Sequence, residues 1–218
     1  MNVRLDHLVV AAPSLDEGAA WCERVLGVAP APGGRHVLMS THNRLLKLDG
    51  SDDAYLEIIA IDPQAPPPGR ARWFGLDEPA LQAALREHGP RLVHWVARTS
   101  HLDMHRFGLV AAGFDPGPTR AAERETPDGT LRWRITVPDD GRLRCGGALP
   151  TLIEWQGAHP APALPPSCVA LASFTVRGLP PKAAEVLRPL QVTLDGTPGP
   201  ALTAQLATPR GMITLASS

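Results

Sequence analysis

Four ionisable residues sit inside short apolar runs. His7 lies in Leu5-Asp6-His7-Leu8-Val9-Val10 and Glu57 in Tyr55-Leu56-Glu57-Ile58-Ile59-Ala60; His94 lies in Leu92-Val93-His94-Trp95-Val96 and Glu154 in Thr151-Leu152-Ile153-Glu154-Trp155. A charge inside such a run is costly unless it is paired, hydrogen-bonded or bound to a metal. Taken singly, a strand histidine is more often a hydrogen-bonded core residue, and a strand glutamate more often an arginine's partner. As His…Glu followed by a second His…Glu, the four form a ligand set for a divalent metal. Two imidazoles and two carboxylates suit Zn, Mn, Fe, Co or Ni. A metal-free site holding His–Glu hydrogen bonds is the alternative.

Side chains alternate along a strand, so residues two apart share a face. On that rule His7 goes with Leu5 and Val9, Glu57 with Tyr55 and Ile59, His94 with Leu92 and Val96, and Glu154 with Leu152. The bulky neighbours Leu8, Leu56, Ile58, Trp95, Ile153 and Trp155 are left to pack under helices. With a metal acting as a Lewis acid on a bound oxygen, Glu57 or Glu154 would shuttle the proton.

Weaker candidates surround these. Arg132 and Arg134 alternate with Leu131, Trp133 and Ile135, so both project from one sheet face. They would fork onto a substrate carboxylate or phosphate if that face lines the cup, and meet solvent if it does not. His42 shares a strand face with His36 if that strand runs unbroken, and both would border the cup. Tyr55, the only tyrosine, shares the face of Glu57 and would serve as a rim acid or as packing. Cys145 and the helical pair His101 and His105 carry no activating neighbour.

The elements that must position these residues follow one order, twice. A strand from Leu5 to Ala11 leads into Ser14-Leu15-Asp16-Glu17, a capping box that starts a helix stopped by Gly27. Strands then run near Arg35–Thr41, Arg44–Leu48 and Ala54–Ile61, which gives β-α-β-β-β over residues 1–62. A proline-rich connector with a short helix near Pro79–Glu87 covers 63–90. In residues 91–160 the order returns: strand Leu92–Arg98, a helix from Ser100 with Asp103 in the capping position, and strands near Pro118–Arg124, Thr130–Val137 and Ala148–Gln156. A third, degenerate copy over 165–218 holds apolar or hydroxyl residues at the His and Glu places and reads as scaffold. Repetition at this period implies duplicated units sharing one core, an α+β fold of tandem βαβββ modules.

The chain here resembles the vicinal oxygen chelate superfamily, and within it the bacterial glyoxalase-like domain proteins. The resemblance rests on Leu5-Asp6-His7-Leu8-Val9, Gly33-Gly34-Arg35-His36, Thr41-His42-Asn43, Tyr55 to Ala60, Arg72-Trp73-Phe74-Gly75-Leu76, Asp128 to Arg134 and Leu152 to Trp155. It implies paired modules whose mixed sheets curl into a cup, as in glyoxalase and bleomycin-resistance proteins. In metal-dependent members the ligands come from the first and last strands of each module; here these would be His7, Glu57, His94 and Glu154. The glutathione-holding residues of glyoxalase I have no match. The implied activity is lyase, isomerase or epimerase chemistry on a small oxygenated metabolite. The alternatives are a non-catalytic cup that sequesters a small molecule or antibiotic, and a ring-cleaving dioxygenase.

Composition excludes other classes. At 218 residues and net charge −1, the chain has no basic excess to favour nucleic acid. No apolar stretch approaches the roughly 20 residues that span a bilayer. The start, Met1-Asn2-Val3, runs directly into a strand pattern without a targeting segment. Three cysteines without a CxxC pair fit a reduced, cytoplasmic protein. Two modules in one chain can complete a cup internally, so a homodimer is allowed but not required.

Overall fold

The computed structural model describes residues 3–51, 53–126 and 129–217; the Met1-Asn2 start and Asp128 of the quoted motif lie outside them. Strand β1 (Val3–Ala11) is followed by helix α1 (Leu15–Trp21), which continues as a wider turn over Cys22–Leu26. Then come β2 (Ala31–His36), β3 (Thr41–Lys47) and β4 (Tyr55–Ile61), and after the connector helix α2 (Pro79–His88). The order returns as β5 (Arg91–Arg98), α3 (Leu102–Ala111), β6 (Thr119–Thr126), β7 (Gly129–Thr136) and β8 (Thr151–Trp155). The remainder comprises β9 (Ala170–Arg177), α4 (Pro181–Val186), β10 (Leu190–Gln191), β11 (Thr193–Asp195), β12 (Leu202–Thr208) and β13 (Gly211–Ala216).

One mixed sheet runs β2-β3-β4-β1-β5-β8-β7-β6, with β10 added to β1. β1 and β5 pair antiparallel at its centre, while β1 pairs parallel with β4 and β5 parallel with β8. Its end strands β2 and β6 approach each other, so the sheet curls into a nearly closed cup. Glycine makes that approach possible: a Cβ on Gly34 would lie 2.4 Å from Cδ of Arg124 on β6.

The outer face of the cup carries the larger core. Leu8, Val10, Leu56, Ile58, Trp95 and Leu152 pack there against Trp21 and Leu26, against Leu102 and Leu109 of α3, and against Phe174, Leu202 and Leu206 of the second sheet. That sheet, β11-β9-β12-β13, covers the outside and brings Phe174 edge-on to Trp95. The capping box of α1 forms as expected: the Ser14 hydroxyl accepts from the Glu17 amide at 3.2 Å, and Gly27 ends the turn at φ +80°. Among the described residues no helix is long and apolar enough to cross a membrane.

Two local expectations change. The strand placed over Arg35–Thr41 is broken by a turn at Val37–Met39, with Ser40 at φ +49°. His36 and His42 therefore end on different strands and do not share a face. Helix α3 starts at Leu102 without a side-chain cap from its N-cap residue His101, and Asp103 does not cap it. The cap comes from a distant strand: Glu154 Oε1 accepts from the Leu102 amide at 3.4 Å.

Candidate functional site

The inner face of the cup is walled by Trp73, Phe74, Trp133, Ile135, Ile153 and Trp155, and its charged groups gather on the first half. Here β1 departs from simple alternation. Its register against β5 slips between Leu5 and His7, so Asp6 is the extra residue of a β-bulge. Leu5 stays with the outer core, while Asp6 and His7 both make their polar contacts inside the cup.

A continuous polar chain results. Trp155 Nε1 (2.9 Å) and His159 Nε2 (3.1 Å) donate to Asp6 Oδ2, and His7 Nδ1 donates to Asp6 Oδ1 at 2.7 Å. His7 Nε2 stands 3.5 Å from Glu57 Oε2, an ion-pair distance. The other oxygen of Glu57 accepts from Asn43 Nδ2 at 2.6 Å. Asn43 is fixed in turn, because its Oδ1 accepts from the Gly34 amide at 2.9 Å and from Arg124 Nη1 at 3.0 Å. A side chain at residue 33 would collide with Asn43, which explains the paired glycines: its Cβ would fall 2.1 Å from Oδ1. His36 completes the group. Its Nε2 accepts from Asn43 Nδ2 at 3.3 Å and its Nδ1 donates to Thr41 Oγ1 at 3.1 Å.

These contacts set the charges. Burial alone would discharge His7, but the hydrogen bonds to Asp6 and Glu57 prevail and push its pKa up to about 9. Burial would likewise raise both carboxyls. Hydrogen bonds from His159 and His7 hold Asp6 well below the ordinary carboxylate range, and His7 holds Glu57 below it. His36 has no such carboxylate bond, and burial lowers it to about 4. The resting state is an imidazolium clamped between two carboxylates, with neutral His36 alongside. Tyr55 stacks on His7 with ring centroids 4.6 Å apart, and burial raises its phenol well above the usual value. The cavity in front of this cluster measures about 30 Å³, room for roughly one or two waters.

The structure thus brings together His7, His36, Glu57 and Tyr55 and leaves His94, Glu154, Arg132, Arg134 and His42 elsewhere. His94 is on the inner side but beyond Phe74, whose ring centroid is 5.4 Å from its own, in a separate recess of about 10 Å³. Its Nε2 accepts from the Thr151 amide at 3.2 Å; its Nδ1 is buried without a partner among the described residues, and burial lowers its pKa to about 3. Glu154 does not face the cup. Ile153 and Trp155 do, so strand phase turns Glu154 outward, where Arg134 Nη1 meets it at 3.0 Å and it caps α3. Arg134 spans from Glu154 to Asp103, and Arg132 pairs with Glu123 at 3.1 Å, so both arginines lie on the outer face. His42 is half-buried outside the cavity lining.

The four expected ligands consequently do not fit one metal ion. Two lie at the cup floor, one behind an aromatic partition and one on the opposite face. Among the described residues no group of three or more His, Cys, Asp or Glu side chains is arranged to hold a metal. Sequence reasoning missed Asp6, Asn43, Arg124 and Phe74 as site residues, and gave His36 only a border place. The one available signal was an asparagine inside a strand pattern, where that residue type is depleted.

The Glu154 reading has a direct check. Its ion pair is partly exposed, so E154Q should cost no more than about 1 kcal/mol in denaturant unfolding and leave His7 titration unchanged. A change in the His7 titration would place Glu154 in the cup after all.

Comparison with known proteins agrees with this architecture. No curated protein matches the chain. A Staphylococcus aureus hypothetical protein superposes with a TM-score of 0.57 at 12% identity, covering 99% of this chain and 86% of that one. A single-residue variant of methylmalonyl-CoA epimerase from Streptomyces coelicolor, in complex with 2-nitronate-propionyl-CoA, gives 0.46 at 18% identity over 73% of this chain and 99% of its own. The Mycobacterium tuberculosis methylmalonyl-CoA epimerase gives 0.41 at 20% identity over 73% and 91%. The model of the glyoxalase-like domain matches residues 5–190, from the first buried strand through both halves of the cup. On that match the chain belongs to the glyoxalase-like domain family, with the curled sheet of the vicinal oxygen chelate fold.

Proposed function

We propose that this chain is an enzyme of the isomerase or epimerase kind, which moves a proton on a small oxygenated molecule at the Glu57–His7 pair. The observation that carries the reading is a buried carboxylate and a buried imidazolium 3.5 Å apart on an aromatic-walled cavity, which at about 30 Å³ has to widen to admit a substrate. Glu57 would remove a proton next to a carbonyl. His7, charged at neutral pH, would turn Nε2–H toward the developing enolate oxygen and stabilise it. Asn43 keeps Glu57 aimed, and Asp6 keeps His7 protonated.

A second reading is favoured by one feature. Both Glu57 oxygens already have partners and its pKa is lowered, which makes it a weak base. A cup of this kind that only binds would use Trp73, Trp133 and Trp155 as its walls. The two separate in deuterated water with a panel of small 2-oxo acids and hydroxyketones, followed by proton NMR. Enzymatic exchange at the carbon beside the carbonyl supports proton transfer. Saturable quenching of tryptophan fluorescence with no exchange for any compound overturns it in favour of binding.

A further inference from the structure

A second cavity lies outside the cup. It is a groove of about 600 Å³ between α2 and the segment that precedes β8, within the size range of small-molecule sites. Helix α2 buries only Leu85 fully and leaves Leu81 and Ala84 along the groove. Leu92, Leu143 and Phe74 also line it. Phe74 also lines the cup and the His94 recess, so the three spaces share one residue.

The polar groups at this groove are not balanced. Arg142 Nε donates to Glu78 Oε1 at 3.0 Å, which neutralises that pair at the rim. Arg91, at the start of β5, also lines the groove and makes no ion pair among the described residues, and its Nε is buried without a hydrogen-bond partner. An apolar trough lined by a guanidinium that has no carboxylate partner among the described residues matches one ligand chemistry: a hydrocarbon chain terminated by a carboxylate. We propose that this groove binds a free aliphatic carboxylate, with the chain along Leu81, Ala84, Leu92 and Leu143 and the carboxylate on Arg91.

The assignment is independent of the proton-transfer reading and is tested by calorimetric titration with octanoate, decanoate and 1-decanol. Decanoate should bind saturably, about tenfold tighter than octanoate for its two extra buried methylenes, and well above 1-decanol. R91Q should remove the preference for decanoate over 1-decanol. A84F, which fills the trough from a helix surface, should abolish binding of both while circular dichroism stays unchanged. E57Q should bind decanoate like the wild type, so that loss of exchange and loss of groove binding register separately. No saturable binding, equal affinity for acid and alcohol, or wild-type binding by A84F would overturn the proposal.

Discussion

E57Q should lower enzyme-catalysed exchange by at least about 100-fold while the protein stays folded. The range for losing a positioned general base is roughly 10²–10⁴-fold. The fold should survive because glutamine is isosteric and keeps an oxygen for Asn43 Nδ2, the 2.6 Å bond that anchors the residue. What disappears is the negative charge facing His7. That charge and its hydrogen bond are part of what raises the imidazole to about 9, so the His7 pKa must also fall in E57Q. NMR titration of His7 gives an independent readout: a lower pKa with lost exchange supports the pair. Exchange that persists at wild-type rate removes Glu57 from the chemistry. E154Q is the control, since Glu154 is engaged by Arg134 outside the cup and should leave exchange untouched. Equal losses in both variants would mean that the assigned phase of β8 is wrong.

That contrast also shows how much of the molecule was legible in the sequence. Alternation placed Tyr55, Glu57 and Ile59 together on β4, and they are together, because that strand runs without a bulge from Tyr55 to Ile61. The same rule is indifferent to which face of β8 looks inward. Both Glu154 and the pair Ile153 and Trp155 were compatible with the cup, and the choice followed charge. The structure chose the aromatic face, since Trp155 donates to Asp6 and leans on Trp133 at 5.4 Å. Asp6 was hidden for a different reason. A bulge changes phase by one residue and leaves no mark in a hydrophobic pattern. Arg124 reaches Asn43 only because the sheet closes β2 against β6, a contact between distant segments that no local window contains. Trp73-Phe74 read as connector; Phe74 at φ +59° turns into the cup and cuts it in two.

Asp6 should prove the most expensive single residue in the site to lose. Its side chain is fully buried, and it accepts from His7, Trp155 and His159, with Arg98 Nε a further 3.6 Å away. D6A would leave a buried imidazolium with one carboxylate and strand the Trp155 and His159 donors. Breaking a buried pair in this way costs about 3–5 kcal/mol, which for a chain of this size lowers the melting temperature by roughly 10 °C. D6N keeps one acceptor oxygen and should fall between wild type and D6A. The pH dependence identifies the cause. Because the folded pKa of His7 is raised from 6.5 to about 9, its stabilisation is complete below pH 6.5 and is lost as pH rises toward 9. His36 and His94 act oppositely. Lowered to about 4 and about 3, they cost stability as pH falls below 6.5, because only the unfolded chain takes up their protons. Melts from pH 5 to 9 should therefore show wild-type stability declining on both sides of pH 6.5. In D6A the alkaline decline should shrink, since His7 has lost its closer carboxylate, while the acid decline persists. An alkaline limb that survives D6A intact would mean that Asp6 does not hold the proton on His7, and the clamped imidazolium would have to be abandoned.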